Sequence, residues 1–155
     1  MNSQDDWIKK WGDWEYHFER IRSDENINRT DAQEILDGFK ALREIMGDEW
    51  WRNAVHLRYP IFHRIMNLIP SSQLSVAKVG HELKALQGSK NFKLLQKRLG
   101  IKDQYYNTEI ELEVAWCFKN VGFEVEFYPR VGQKEADLRI ILNQNEYYVE
   151  VTVVA

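Results

Sequence analysis

The fold of this chain is decided by the run Ala136-Asp-Leu-Arg-Ile-Ile-Leu142 and by the run Tyr147-Tyr-Val-Glu-Val-Thr152 that follows it. Polar and apolar side chains alternate through much of both runs, and this period of two predicts a pair of β-strands. The polar residues 143–146 between the runs predict the turn of a hairpin, with Leu142 opposite Tyr147. Because the side chains of a strand alternate between its two faces, we expect one face to be apolar, formed by Leu138, Ile140, Val149, Val151 and Val153.

The other face of the predicted hairpin carries two carboxylates. The expected register places Arg139 opposite Glu150 and, one pair further along, Asp137 opposite Thr152. Asp137 and Glu150 are then diagonal neighbours, close enough to share one Mg²⁺, which favours one or two carboxylates together with other oxygen ligands. Such an ion can activate water against a phosphodiester. The alternative is an ordinary cross-strand ion pair between Arg139 and Glu150 on a solvated face.

A helix and a further strand precede this hairpin. The apolar spacing of 107–120 predicts a helix that Gly122 ends, and the strict alternation of 123–127 predicts a strand. Residues 130–135 predict a turn. Glu111 lies beside the apolar stripe of the helix, so we expect it to be a third, outer carboxylate near the hairpin. The stripe expected to face inward consists of Ile110, Val114, Cys117, Phe118 and Val121.

The part of the chain before residue 105 has the apolar period of helices throughout. The sequence therefore predicts an α+β protein, with a helical region at 1–104 and an α-β-β-β region at 105–155. The predicted helices of the first region lie at 5–22, 31–46, around 50–55, and at 60–68, 72–87 and 90–99.

Composition and charge indicate which cellular compartment to expect for this chain. The chain has 155 residues, a formal net charge of −3 and a single cysteine. One cysteine excludes an internal disulfide, no apolar run reaches the length of a membrane span, and the polar N-terminus is not typical of a secretory signal. We therefore expect a cytoplasmic protein without a membrane segment.

Basic side chains are concentrated in one stretch, residues 78–102. Such a stretch can follow a phosphate backbone, and it can equally be the solvated face of a pair of helices. The candidate nucleic-acid contacts in it are Lys90, Lys93, Lys97 and Arg98.

Three short motifs in the last third of the chain occur in a familiar order. Glu111 precedes Gly122 on the helix, Asp137 follows an alanine at the start of a strand, and Glu150-Val-Thr152 lies on the next strand. Over residues 105–154 this order resembles the PD-(D/E)xK, or restriction-endonuclease-like, nuclease superfamily. The resemblance covers under a third of the chain.

The resemblance implies an αβββαβ core that cleaves DNA or RNA with Mg²⁺ or Mn²⁺. Asp137 and Glu150 would be metal ligands, joined by the backbone carbonyl of Val151, and Glu111 would be the accessory carboxylate of the helix. The position of the superfamily's lysine is held by Thr152, which can only hydrogen-bond. A substitute cation could come from Lys134, Lys119 or Arg139, and geometry alone does not select one of them.

The sequence also ends directly after the third predicted strand, before the helix and strand that complete the superfamily's core. The chain is then a fragment, or its sheet edge is completed by the helical region or by a second copy in a homodimer. Two functions follow as hypotheses. One is a metal-dependent nuclease, active or degenerate, and the other is a non-catalytic interaction or dimerisation module.

Overall fold

The computed structural model describes residues 3–154, which form helices followed by two small antiparallel sheets, an α+β architecture as predicted. The helices are α1 (Ser3–Trp11), α2 (Trp14–Ser23), α3 (Arg29–Met46), α4 (Asp48–His56), α5 (Pro60–Met66), α6 (Pro70–Leu86), α7 (Phe92–Leu99) and α8 (Lys102–Asn120). The strands are β1 (Glu124–Phe127), β2 (Arg130–Val131), β3 (Lys134–Glu135), β4 (Leu138–Leu142) and β5 (Asn145–Val149).

The chain divides into two compact units, residues 1–84 and residues 85–155. The division falls within α6, whereas the two regions expected from the sequence meet between 104 and 105. The second unit therefore contains α7 and α8 together with all the strands. Within residues 3–154, no helix is long and apolar enough to cross a membrane.

The prediction of one helix over 5–22 was wrong, because α1 and α2 are separate. Asp13 has an extended backbone between them, and its side chain accepts a hydrogen bond from the N–H of Glu15 at 3.0 Å. This N-cap starts a new helix, which the apolar spacing alone does not reveal. The aromatic residues at the junction remain core residues, since Trp14 is buried and its ring centroid lies 4.7 Å from that of Trp51.

Helix α8 starts earlier than predicted and buries a different face. Cys117 and Val121, expected inside, are exposed. The helix packs against α7 as well as against β1. The side chains that α8 buries are Tyr105, Thr108, Glu111, Leu112 and Ala115.

The larger sheet has the strand order β1-β4-β5, with both pairs antiparallel. Leu142 pairs with Asn145, so the expected register was wrong by two residues and Arg139 faces Tyr148. The turn contains only Asn143 and Gln144, whose φ angles are 51° and 68°. Positive φ at both central residues makes this a type I′ turn, which the absence of glycine concealed.

A shift by two residues keeps every side chain on its expected face. Leu138 and Ile140 of β4 are buried, as predicted. The last strand ends at Val149, so residues 150–154, expected to continue it, lie outside the ladder. The expected turn at 130–135 is itself a small hairpin formed by β2 and β3.

Two glycines fix the core of the first unit. A Cβ at Gly80 of α6 would overlap the backbone of Gly38 in α3, and a Cβ at Gly38 would overlap Ala77. The two helices therefore approach to backbone contact, which only residues without a side chain allow.

We expect Gly80→Ala to lower the free energy of unfolding by about 2–3 kcal/mol, because the added methyl group pushes two backbones apart. Urea denaturation measures the loss. The matched control is Gly88→Ala, whose Cβ meets no atom within 4 Å and which should change stability by less than about 0.5 kcal/mol. Equal stability of the two variants would contradict the close crossing.

Candidate active site

A buried carboxyl group lies at the centre of the second unit. Glu111 of α8 is only 9% exposed, and the hydroxyl of Tyr128 donates a hydrogen bond of 2.5 Å to its Oε2. Tyr128 follows β1 directly and has a φ of 51°, a left-handed conformation that bulky residues rarely adopt. Its N–H donates to the carbonyl of Asp137 at 2.9 Å, so the start of β4 holds Tyr128 in this conformation.

Asp137 links the start of β4 to the segment that follows β5. Its Oδ2 accepts a hydrogen bond of 2.7 Å from the backbone N–H of Val151. The segment after β5 is thereby fixed beside the start of β4, although it has left the ladder. The side chain of Asp137 is half-buried at this junction.

The pKa of Glu111 is raised in the folded protein. Burial raises the pKa of the Glu111 carboxyl, and the negative charges of Asp137 and Glu135 raise it further. The hydrogen bond from Tyr128 and the positive charge of Arg98 lower this pKa only in part. Tyr128 also links Glu111 to Asp137, because its hydroxyl donates to the Glu111 carboxyl and its N–H donates to the Asp137 carbonyl.

Arg98 of α7 supplies the cation of this cluster. Its guanidinium lies 3.5 Å from the centroid of the Tyr128 ring, and its Nη2 lies 2.5 Å from Oε1 of Glu135. Stacking and ion pairing together fix the plane of the guanidinium. Burial of the Tyr128 ring raises the pKa of its hydroxyl, so Tyr128 remains a hydrogen-bond donor at neutral pH.

Arg98 and Glu111 face a common polar cavity of about 330 Å³, which we call the Glu111 cleft. Asparagine, glutamine, threonine and aspartate side chains of α8 complete it. This cleft offers one guanidinium, two carboxyl groups, of which one is buried and one exposed, and several neutral hydrogen-bonding groups to a small polar ligand. Its lining consists of Arg98, Asp103, Gln104, Asn107, Thr108 and Glu111.

Three of the predicted catalytic residues lie at the surface. Glu150 and Thr152 follow the end of β5 with exposed side chains, and Lys134 is exposed on β3. The register from which we argued that Asp137 and Glu150 converge was wrong, and their sharing of an ion stays a prediction. Within residues 3–154, no three His, Cys, Asp or Glu side chains form a group that could hold a metal ion.

The expected ion pair between Arg139 and Glu150 is replaced by other partners. Nη2 of Arg139 lies 2.6 Å from Oε2 of Glu126, and its Nη1 lies 3.4 Å from Oε1 of Glu146. Arg139 thus joins β4 to both neighbouring strands. This leaves the carboxylate of Glu150 out of the charge network on the outer face of the sheet.

The four predicted nucleic-acid contacts do not have a common environment. Nζ of Lys90 lies 3.2 Å from Glu126, whereas Arg98 is directed to Tyr128. Lys93 and Lys97 are exposed on α7. Binding of nucleic acid by these residues stays a prediction.

Sequence reasoning did not find Tyr128 or Glu135. Both residues act through contacts with α7 and α8, which lie far from them along the chain. The one sequence feature that could have indicated a role is the position of Tyr128 directly after the predicted strand 123–127. We expected Glu111 at the border of the buried face, and it lies within that face.

Comparisons with known proteins found no matching family model, no matching curated protein and no matching solved structure. The resemblance of residues 105–154 to a nuclease superfamily therefore rests on the sequence motifs alone.

Glu111→Gln tests the burial of the carboxyl group. Since folding raises the pKa of Glu111 above its ordinary value of 4.5, the stability it contributes is complete below that pH and is lost as the pH rises through the raised value. Glutamine keeps the shape and the acceptor for Tyr128 without the charge. We expect the melting temperature of Glu111→Gln, relative to the parent, to rise between about pH 4 and pH 8.

Thermal unfolding at a series of pH values measures this difference. Glu113→Gln, which changes an exposed carboxylate of the same helix, is the matched control and should differ less from the parent than Glu111→Gln does. A difference between Glu111→Gln and parent that does not vary with pH would contradict the raised pKa.

Proposed function

We propose that the second unit is a metal-dependent phosphodiesterase that cleaves nucleic acid. The observation that carries this proposal is a hydrogen-bonded chain in which Tyr128 contacts both Glu111 and Asp137, and Asp137 accepts a bond from the N–H of Val151. Glu111, Asp137 and Val151 come from a helix, the start of the central strand and the segment after the next strand. Each provides oxygen atoms, and oxygen is the ligand type of Mg²⁺ and Mn²⁺. A cytoplasmic location, expected from the single cysteine, belongs to the same proposal.

The donor set at this junction fits a hard divalent cation. Oδ2 of Asp137 is occupied by the Val151 N–H, and Oδ1 has no hydrogen-bond donor among the described residues. The carbonyl of Val151 and the carboxylate of Glu150 would complete the protein ligands. When bound, the ion lowers the pKa of a coordinated water and polarises the phosphodiester.

Arg98 gives this proposal its substrate chemistry. A guanidinium held flat against an aromatic ring is preorganised to donate two parallel N–H bonds to phosphate oxygens. Since Arg98 lines the Glu111 cleft, a phosphate bound there would lie beside Glu111. Thr152 and Lys134 remain candidates for contacts with the attacking water, and Lys90, Lys93 and Lys97 for contacts with DNA or RNA.

Glu111 would act as the outer carboxyl group. With its raised pKa and its hydrogen bond from Tyr128, it is suited to exchange a proton with a water in the cleft. The buried position keeps it in one orientation.

Asp137→Asn tests the metal centre. Asparagine can still accept the Val151 N–H, so the junction is expected to fold, but the loss of the charge should reduce Mg²⁺-dependent cleavage by more than about 100-fold. Labelled single-stranded DNA, duplex DNA and RNA serve as substrates. A second readout is the rise in melting temperature on adding Mn²⁺, which Asp137→Asn should lose.

Glu113→Gln is again the control, with cleavage and Mn²⁺ response equal to the parent. Undiminished cleavage by Asp137→Asn, or an identical Mn²⁺ response, would disprove the assignment. A parent protein that cuts none of the three substrates and shows no Mn²⁺ response would disprove the function itself.

A second candidate function is favoured by the edge of the larger sheet. Among the described residues, β5 has a partner strand on one side only, and Tyr147 and Tyr148 are each about half exposed. A free, aromatic edge strand is a surface on which another strand can pair. We therefore propose, as the alternative, an interaction module that forms a homodimer through β5.

Tyr148→Lys should shift such a dimer to monomer, because a lysine on an edge strand opposes strand pairing. Analytical ultracentrifugation over a range of protein concentrations measures the shift. Tyr106→Lys, at another exposed tyrosine of the second unit, should leave the dimer intact. A monomeric parent at every concentration would exclude the module in this form.

A further inference from the structure

A groove of about 490 Å³ lies in the second unit, outside the Glu111 cleft, and we call it the outer groove. One wall is formed by β1 and β4, and the facing wall by the end of α6 and the loop that follows it. Lys119, near the end of α8, completes the rim. The lining consists of Ala85, Gly88, Ser89, Lys90, Lys119, Glu124, Val125, Glu126, Arg139 and Ile141.

The carboxylate in the wall of the outer groove is already neutralised. Glu126 is 7% exposed, and its two oxygens lie 3.2 Å from Nζ of Lys90 and 2.6 Å from Nη2 of Arg139. The backbone holds this arrangement, because the N–H of Phe127 donates to the carbonyl of Lys90 at 3.0 Å. The charge of Glu126 is therefore neutralised by ion pairs within the protein and is not available to a ligand.

The charges that a ligand meets in the outer groove are mostly positive. The side chain of Lys90 is 66% exposed despite its contact with Glu126. Lys119 is exposed, and no ion pair with it occurs among residues 3–154. Glu124 is the one lining carboxylate in the described chain that has no ion-pair partner, so two accessible ammonium groups face a single accessible carboxylate.

Neutral groups of the outer groove add to this pattern. The hydroxyl of Ser89 lies in the same loop as Lys90, and Ala85 and Ile141 provide apolar surface. Hydroxyl and ammonium donors bind phosphate oxygens, while apolar surface accepts the carbon skeleton attached to them.

We propose that the outer groove binds a phosphate group through Lys119, Lys90 and Ser89. The phosphate belongs either to a nucleic-acid strand or to a small phosphomonoester. This inference does not depend on the proposed metal centre, since none of Asp137, Glu150 and Val151 lines the outer groove.

Binding to the full chain is measured by calorimetry and by NMR shifts, with inorganic phosphate, a nucleoside monophosphate and a single-stranded oligonucleotide as separate probes. Lys119→Gln should weaken binding roughly fivefold. Lys40→Gln, at an exposed lysine of α3 outside the outer groove, removes the same charge and should weaken binding less than twofold.

Glu124→Gln tests whether the outer groove binds an anion or a cation. If the outer groove binds an anion, removing this exposed carboxylate strengthens binding, whereas an amine or cation site would be weakened. Preference for the oligonucleotide over the monophosphate identifies a strand as the source of the phosphate, and the opposite preference identifies a small phosphomonoester.

Three outcomes would overturn the proposal: no binding of any probe by the parent, equal losses for Lys119→Gln and Lys40→Gln, or weaker anion binding by Glu124→Gln. The probes are titrated without divalent metal, so that binding is measured apart from the proposed metal centre. Failure of the metal centre would then leave this result unchanged, and failure of the outer groove would leave cleavage at the metal centre open to its own test.

Discussion

The hydrogen bond from Tyr128 to the buried carboxyl of Glu111 is the contact on which the second unit depends. It joins α8 to the segment after β1, and the backbone of Tyr128 is in turn bonded to Asp137 at the start of β4. A buried carboxyl without such a donor would cost several kcal/mol, on the order of the stability of a small domain. Tyr128 also contacts two further residues of the site: Arg98 stacks on its ring, and the carbonyl of Asp137 accepts its N–H.

The two faces of the larger sheet have different roles. The inner face is apolar and carries Leu138 and Ile140, while the outer face carries a line of alternating charges from Lys90 through Glu126 and Arg139. That line fixes the positions of β1, β4 and the loop before α7 relative to one another. The outer groove lies along it, so the same charges that order the strands also shape a surface for a charged ligand.

Sequence patterns predicted the elements better than their contacts. The period of two assigned β4 and the faces of its side chains, since alternation is a local property of strands. The register depended on the conformation of Asn143 and Gln144, and no glycine indicated positive φ at these residues. The buried face of α8 was misassigned because Glu111 and Thr108 are polar, and their partners lie far away in sequence. Asp137 and Glu111 could be predicted because each is a carboxylate in a short motif, whereas Tyr128 belongs to no motif.

The central claim is that a divalent ion binds where Asp137 and Val151 meet. Paramagnetic broadening of backbone amides by Mn²⁺ tests it most directly, because broadening falls steeply with distance from the ion. The account predicts that the amides of Tyr128 and Val151 lose intensity first, well before those of Asn143 and Gln144 at the opposite end of β4. Earlier loss at that turn, or no loss at any of these amides, would contradict it.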